Sequence, residues 1–187
     1  MSASGYLTNQ LLIAMPSLGD PNFTQTVALI CDHSAQGALA VILNKPLPMR
    51  MAEVFEQLEI QIAAGPLPQR PVLRGGPMQT DRGFVLHRAG GEWDSTLKVS
   101  EALHVTTSRD ILAAMAQGQG PDAALVALGY AGWGGGQLEA EIRANAWLSA
   151  PVDLDLIFAL PFQSRWEAAG RLLGVDLSRI SPISGNA

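Results

Sequence analysis

The chain has 187 residues, of which 48% are hydrophobic and 16% charged, with a formal net charge of −5. That balance suits one folded domain with a sizeable core and excludes a disordered chain. The basic residues are scattered from Lys45 to Arg179 without a cluster, so the cationic footprint of a nucleic-acid binder is missing and direct nucleic-acid contact is not expected.

"LLIAM" (11–15) reads as a short buried strand ending at Pro16, and "PSLGDPNF" as a loop. "TVALICDH" and "GALAVILN", separated by "SAQG", read as a hairpin of core strands. A helix is expected over "MAEVFEQLE" (51–59), with Val54, Phe55 and Leu58 on one side. "PVLRGGP" is a brief strand ending in a turn, and "GFVLHR", "TLKV" and "LHVTT" are further strands. Ser108 or Thr107 caps the helix "RDILAAMAQG", with Asp110 in its first turn. "AALVALGY" reads as a strand and "QLEAEIRANAWL" (137–148) as a helix. "VDLDLIFAL" alternates as a strand would, with Val152, Leu154, Leu156 and Phe158 on one face. "SRWE" (164–167) has the form of a capping box opening a terminal helix to about Leu173, and 181–187 reads as a loose end. A strand–helix–strand unit over about 122–159 allows a parallel crossover.

The glycine cluster in "LGYAGWGGGQLE" has the local order of a phosphate loop but not its chemistry. A P-loop needs a lysine and a Ser or Thr that this stretch lacks, and from Gly132 and Gly134 the third glycine of a dinucleotide fingerprint would fall at Gln137. The glycines are therefore expected to turn and pack, with Trp133 as a lid over the core. In the following helix, Glu141 and Asn145 fall inside an apolar arc of Leu138, Ile142, Ala146 and Leu148, while Trp147 points away. Two polar groups so placed need partners, and a neighbouring loop such as the "GGP" turn is the expected one.

Other reactive residues read mostly as structure. Cys31 and His33 sit two apart on a strand and share a face, so with His87 they form a candidate metal site or Cys–His pair, against the default of a buried thiol. Ser17 in "MPSLG" fails as a nucleophile elbow, because Met15 stands where a glycine is needed and Asp20-Pro21 breaks the helix. Asp153 and Asp155 read as a solvated strand face, and Asp81 and Arg82 as a local ion pair shaping a loop. No catalytic residue, metal or cofactor is assigned. The lone cysteine, the N-terminus "MSASGYLTNQ" without a signal-peptide pattern and the absence of a run of roughly 20 apolar residues point to a cytoplasmic protein without a membrane role.

The segments "LIAMPSLGDPNF", "ICDHSAQGALAVILNKPL", "GGPMQTDRGFVLH", "TTSRDIL", "LVALGYAGWGGGQLEAEIRANAWL" and "RWEAAGRLLGVD" together resemble the AlgH/YqgE family of bacterial proteins, in order from about Leu11 to Asp176. The resemblance implies one α/β (α+β) domain over 1–187, with a bifurcated mixed β-sheet including a small barrel-like part, surrounded by helices. The resemblance brings no established enzymatic activity or agreed catalytic residues; the role attached to the family is regulation, including of transcription. Gly129, Tyr130, Trp133, Gly136, Gln137, Leu138 and Glu141 match the family pattern, whereas Gly134 and Gly135 stand where bulkier residues are tolerated, which a backbone phosphate cradle would not allow. The expected function is that of a non-enzymatic regulatory or interaction protein with a protein partner or small ligand. The alternative is a small-ligand-binding protein or enzyme with a site formed by the 75–83 and 129–141 segments, and a third reading, a transcriptional regulator binding DNA directly, is disfavoured by charge. The candidate surface is where the segments 75–83 and 129–141 converge: Gly75, Gly76, Pro77, Asp81, Arg82, His87, Tyr130, Trp133, Gln137, Glu141 and Asn145.

Overall fold

The computed structural model describes residues 5–180, so the expected loose end at 181–187 lies outside the described residues. Strand β1 (Gln10–Ala14) pairs antiparallel with β2 (Val27–Ser34), which turns through Ala35 and Gln36 into β3 (Gly37–Ile42). Strand β4 (Pro46–Arg50) runs into α1 (Met51–Gln57), which buries Met51, Val54 and Phe55. Then come β5 (Pro71–Arg74), β6 (Met78–Arg88), β7 (Thr96–Lys98), β8 (Leu103–Thr106) and α2 (Arg109–Ala116). The chain continues through β9 (Ala124–Gly134), α3 (Gln137–Arg143), β10 (Trp147–Pro151), α4 (Leu154–Phe158) and α5 (Arg165–Arg171).

The strands form one mixed sheet in the order β10-β1-β2-β3-β9-β6-β8-β7, with β5 and β4 branching from β9. The sheet curls into a half-barrel flanked by helices, which makes this a single α+β domain. Alternation along the strands feeds three cores. One takes Leu11, Ile13, Leu29, Val41, Phe84, Leu86 and Val105 together with Ile157 of α4 and Trp166 of α5. A second takes Leu12, Ile30, Ile42 and Trp133 under Leu138 of α3. The third packs Val85 and Val126 against Phe55 of α1 and Ile111 of α2.

Strand β9 is where the sheet forks. Ala127 pairs antiparallel with Phe84 of β6 and parallel with Leu73 of β5, while four residues on Ala131 pairs with Ala40 of β3. Gly75 fills the crotch: its N–H donates to the Leu128 carbonyl, and its carbonyl accepts from Ile42 N–H, both at 2.8 Å. Three glycines make this possible, because backbone presses on backbone. A Cβ at Gly75 would lie 2.3 Å from the Gly129 carbonyl oxygen, one at Gly76 2.1 Å from the Tyr130 carbonyl carbon, and one at Gly129 2.5 Å from the Gly76 oxygen. Gly129 also has φ +81, which only glycine adopts freely. Across it the alternation slips by one residue: Leu125, Ala127 and Tyr130 join the first core, while Ala131 and Trp133 join the second.

Several elements depart from the sequence expectations. Strand β9 runs through the glycine cluster to Gly134, and only Gly135 and Gly136 turn the chain. Helix α3 stops at Arg143, not near Leu148, because Asn145 takes a left-handed φ of +62. Ala146 N–H then reaches the Glu141 carbonyl and Asn145 N–H the Ile142 carbonyl, both at 3.0 Å, which closes the helix as a Schellman motif. Asn145 is thus exposed at the helix end rather than on a core-facing stripe, and Trp147 opens β10 buried. The alternating stretch 152–160 contains α4 instead of a strand, because Asp153 caps it by accepting from Leu156 N–H at 3.1 Å. No parallel crossover joins β9 to β10; β10 pairs antiparallel with β1, and the parallel pair is β5 with β9. Ser164 does not form the expected capping box, since a single 3-10 turn over Phe162–Ser164 leads straight into α5. Ser108 stands at the start of α2, but Asp110 takes the N–H of Ile111 while the Ser108 hydroxyl donates to Asp110 at 2.6 Å.

The fork makes a graded prediction for urea denaturation. Gly129→Ala lowers the unfolding free energy by about 2–3 kcal/mol, through the clash and the left-handed φ together. Gly134→Ala, where a Cβ would meet nothing nearer than 3.9 Å, changes it by less than about 1 kcal/mol.

Candidate functional site

The two glycine-rich segments meet, and they meet as backbone. Gly75 and Gly76 are buried against Gly129 and Tyr130 at the fork, and Met78 pairs with Tyr130. Between Met78 and Gly83 strand β6 leaves the sheet: those two residues pair with Tyr130 and Leu128, so four residues of β6 stand opposite Gly129 alone. Gln79 (φ +44), Thr80, Asp81 and Arg82 are exposed on this bulge, and Pro77 is half-buried at its base. Met78 is 44% exposed, with its sulfur over Gly132. Asp81 and Arg82 do not form the expected ion pair; the Arg82 guanidinium lies 5.4 Å from the centre of the Phe84 ring instead. Tyr130 packs edge-on against the same ring and receives a long 3.5 Å hydrogen bond from Gln79 Nε2.

Trp133, Gln137 and Glu141 form a second cluster over the second core. Glu141 Oε1 accepts from the indole N–H of both Trp133 and Trp147, each at 3.0 Å, and Oε2 accepts from Gln137 Nε2 at 2.9 Å. Gln137 Oε1 in turn accepts from Gly134 N–H at 3.0 Å. One carboxylate therefore ties the end of β9, the first turn of α3 and the start of β10. The indole rings meet edge to face at 5.9 Å, and Phe23 from the loop after β1 packs on both. Glu141 is fastened structurally, as expected of a polar group on that helix, but to the tryptophans and not to the "GGP" turn. The glycines beside it differ from one another: Gly134 has room for a side chain, whereas a Cβ at Gly135 would lie 2.6 Å from the Ala35 carbonyl oxygen.

The remaining reactive groups stand apart. A register shift between Ile30 and Asp32 separates Cys31 from His33. Cys31 is buried in the first core, and burial, with the Asp32 charge, pushes its thiol up to about 12. His33 Nδ1 accepts from Leu7 N–H, so the neutral ring carries its proton on Nε2, which faces Glu139 Oε1 at 2.9 Å. That bond holds the Glu139 carboxyl below its ordinary value. His87 is fully buried between the Arg88 carbonyl (2.8 Å) and Thr106 Oγ1 (2.7 Å), and burial lowers its pKa. It is thus remote in role from the fork with which the sequence grouped it. Among the described residues no three His, Cys, Asp or Glu side chains are grouped to hold a metal ion. Asp153 is the cap of α4, and Asp155 sits in that helix's first turn.

Two concavities flank the fork. A groove of about 260 Å³ runs beside the β6 bulge, with Val54, Leu58, Val85 and Leu128 as apolar walls and Asp81 and Arg109 among its polar groups. A larger cavity of about 400 Å³ lies against β5, the start of β9 and the chain from Phe158 to Arg165. Sequence reasoning missed Arg165 altogether, because its place in "SRWE" marked a helix start; its 2% exposure is set by tertiary packing.

The AlgH-like family profile matches residues 11–178. A UPF0301 protein of Thioalkalivibrio sulfidiphilus is 55% identical over 187 residues, covering all of both chains, and one of Nitrosococcus oceani is 48% identical over the same span. The AlgH protein of Pseudomonas aeruginosa, solved in solution, superposes with a TM-score of 0.81 at 46% identity, covering 100% of this chain and 99% of that one. A crystal structure of a Corynebacterium diphtheriae protein shares the fold at 20% identity and a TM-score of 0.73, covering 95% of this chain and 92% of that one. This chain belongs to the AlgH-like family. No helix of the described residues is long and apolar enough to cross a membrane.

The clamp and the thiol each yield a measurement. Glu141→Leu leaves two indole N–H groups unpartnered and costs about 2–4 kcal/mol in denaturant unfolding, with a changed tryptophan emission, whereas Glu141→Gln keeps an acceptor and costs about 1–2 kcal/mol. Cys31 reacts with a disulfide thiol reagent at pH 8 only as fast as the chain unfolds; rapid labelling of the native protein would contradict its burial.

Proposed function

We propose that the protein is a cytoplasmic, non-enzymatic regulatory protein that acts by docking a partner protein on the β6 bulge and the groove beside it. The observation that carries this reading is the bulge itself. Five consecutive exposed residues, Met78 to Arg82, project from the sheet between strand pairings at Met78 and Gly83. An exposed methionine and arginine beside a groove with apolar walls and a polar rim is the composition of a protein-binding surface. Glu141, His33, His87 and Cys31 support the same reading, since their reactive atoms are occupied in holding the fold. The acidic balance of −5 with scattered arginines favours a protein partner over direct contact with DNA, so control of transcription by this chain would be indirect.

Affinity capture with the tagged full chain under near-physiological salt tests this. The same retained protein is expected with wild type and with Leu97→Asp, an exposed control on β7, and is lost with Met78→Asp and Asp81→Lys at unchanged melting temperature. Retention by all four chains would contradict the assigned face. Tight binding to short duplex DNA that weakens steeply with salt would contradict the choice of partner.

A further inference from the structure

The 400 Å³ cavity has walls that are largely apolar, among them Met51, Leu73, Leu125, Phe158 and Phe162, and its volume is that of a small-molecule site. Arg165 lines it while keeping only 2% of its surface exposed. Its Nε donates to the Leu160 carbonyl at 3.0 Å and its Nη1 to the Leu43 carbonyl at 2.7 Å, and its guanidinium lies 4.5 Å from the centre of the Phe162 ring. Those bonds use two of the five N–H donors of a guanidinium, and Nη2 has no acceptor among the described residues. The ion pairs of the described residues are His33–Glu139, Arg171–Glu167 and Arg179–Asp176, so none of the described carboxylates neutralises Arg165. Burial lowers its pKa to about 10, and the group stays charged at neutral pH. A charge held out of water without a counter-ion is a standing cost to the fold, and an incoming anion relieves it.

We infer that this cavity binds a small organic carboxylate with an apolar body, the carboxylate meeting the free N–H groups of Arg165. The planar fork of a guanidinium matches the two oxygens of a carboxylate, and the apolar walls favour a hydrocarbon or aromatic body over a compact inorganic anion. Arg70 and Asp122, both exposed at the rim, carry opposite charges and leave Arg165 as the determinant of ligand sign. This site is separate from the β6 bulge, and neither reading depends on the other.

Calorimetry on the full chain with 4-phenylbutyrate, 4-phenylbutan-1-ol and inorganic phosphate tests the inference. The carboxylate is expected to bind at least tenfold more tightly than the alcohol of the same body, and phosphate alone not to saturate. NMR shifts on binding should fall on the Arg165 Nε–H and the amides of 122–126. Arg165→Met should abolish the preference for the carboxylate. Because that variant also frees the Leu43 and Leu160 carbonyls, Ala123→Trp at the half-buried wall supplies an independent block, expected to remove binding of both organic ligands. No binding, equal binding of acid and alcohol, shifts that map elsewhere, or binding unchanged by Ala123→Trp would each overturn the assignment.

Discussion

Everything in this fold passes through one strand that serves three partners. Strand β9 must accept β6 on one side and, on the other, β5 over its first half and β3 over its second. Three backbones then converge within the space that side chains would occupy, which sets the glycines at 75, 76 and 129 by steric necessity. The slip in alternation at Gly129 is part of the same solution. It moves Ala131 and Trp133 to the second core while Tyr130 still reaches the first, so one strand serves two hydrophobic clusters.

The second organising contact is the Glu141 carboxylate. Trp133 and Trp147 belong to strands separated in the sheet by β1, β2 and β3, yet both indoles donate to one oxygen. Charge-assisted bonds from two bulky aromatic groups close the β9–α3–β10 excursion on itself and seat α3 over the second core. The glycines after Trp133 therefore lead into a clamp, and their kinship with phosphate loops ends at sequence order. The anion site proposed above rests instead on Arg165, which is buried and has no carboxylate partner among the described residues.

The sequence exposed those features that are written in contiguous residues. The hairpin of β2 and β3 is legible from two β-branched runs about a short turn, and α1 from Val54 and Phe55. The stop of α3 at Asn145 was also present in the chain, as a residue type that tolerates a left-handed φ, but the apolar spacing to Leu148 concealed it. The stretch 152–160 satisfied a period of two, and a single carboxylate cap at Asp153 decided for a short helix. His87 was grouped with the glycine segments through proximity in sequence, whereas its partner Thr106 comes from the neighbouring strand β8. The clamp was half legible, since Glu141 was marked as needing a partner, but no local pattern names two indoles six and eight residues away as donors to one oxygen.

The most direct test of the fork is native-state hydrogen exchange by NMR at the amides of Gly75 and Ile42, which bond to the Leu128 and Gly75 carbonyls. If the fork is the constraint on which the sheet depends, both amides exchange only through global unfolding, with the same protection as the core amide of Leu43, which bonds to the Val27 carbonyl. Exchange of Gly75 and Ile42 that is orders of magnitude faster than that of Leu43 would contradict the account, and would make the 75–83 segment a loop that opens independently of the sheet.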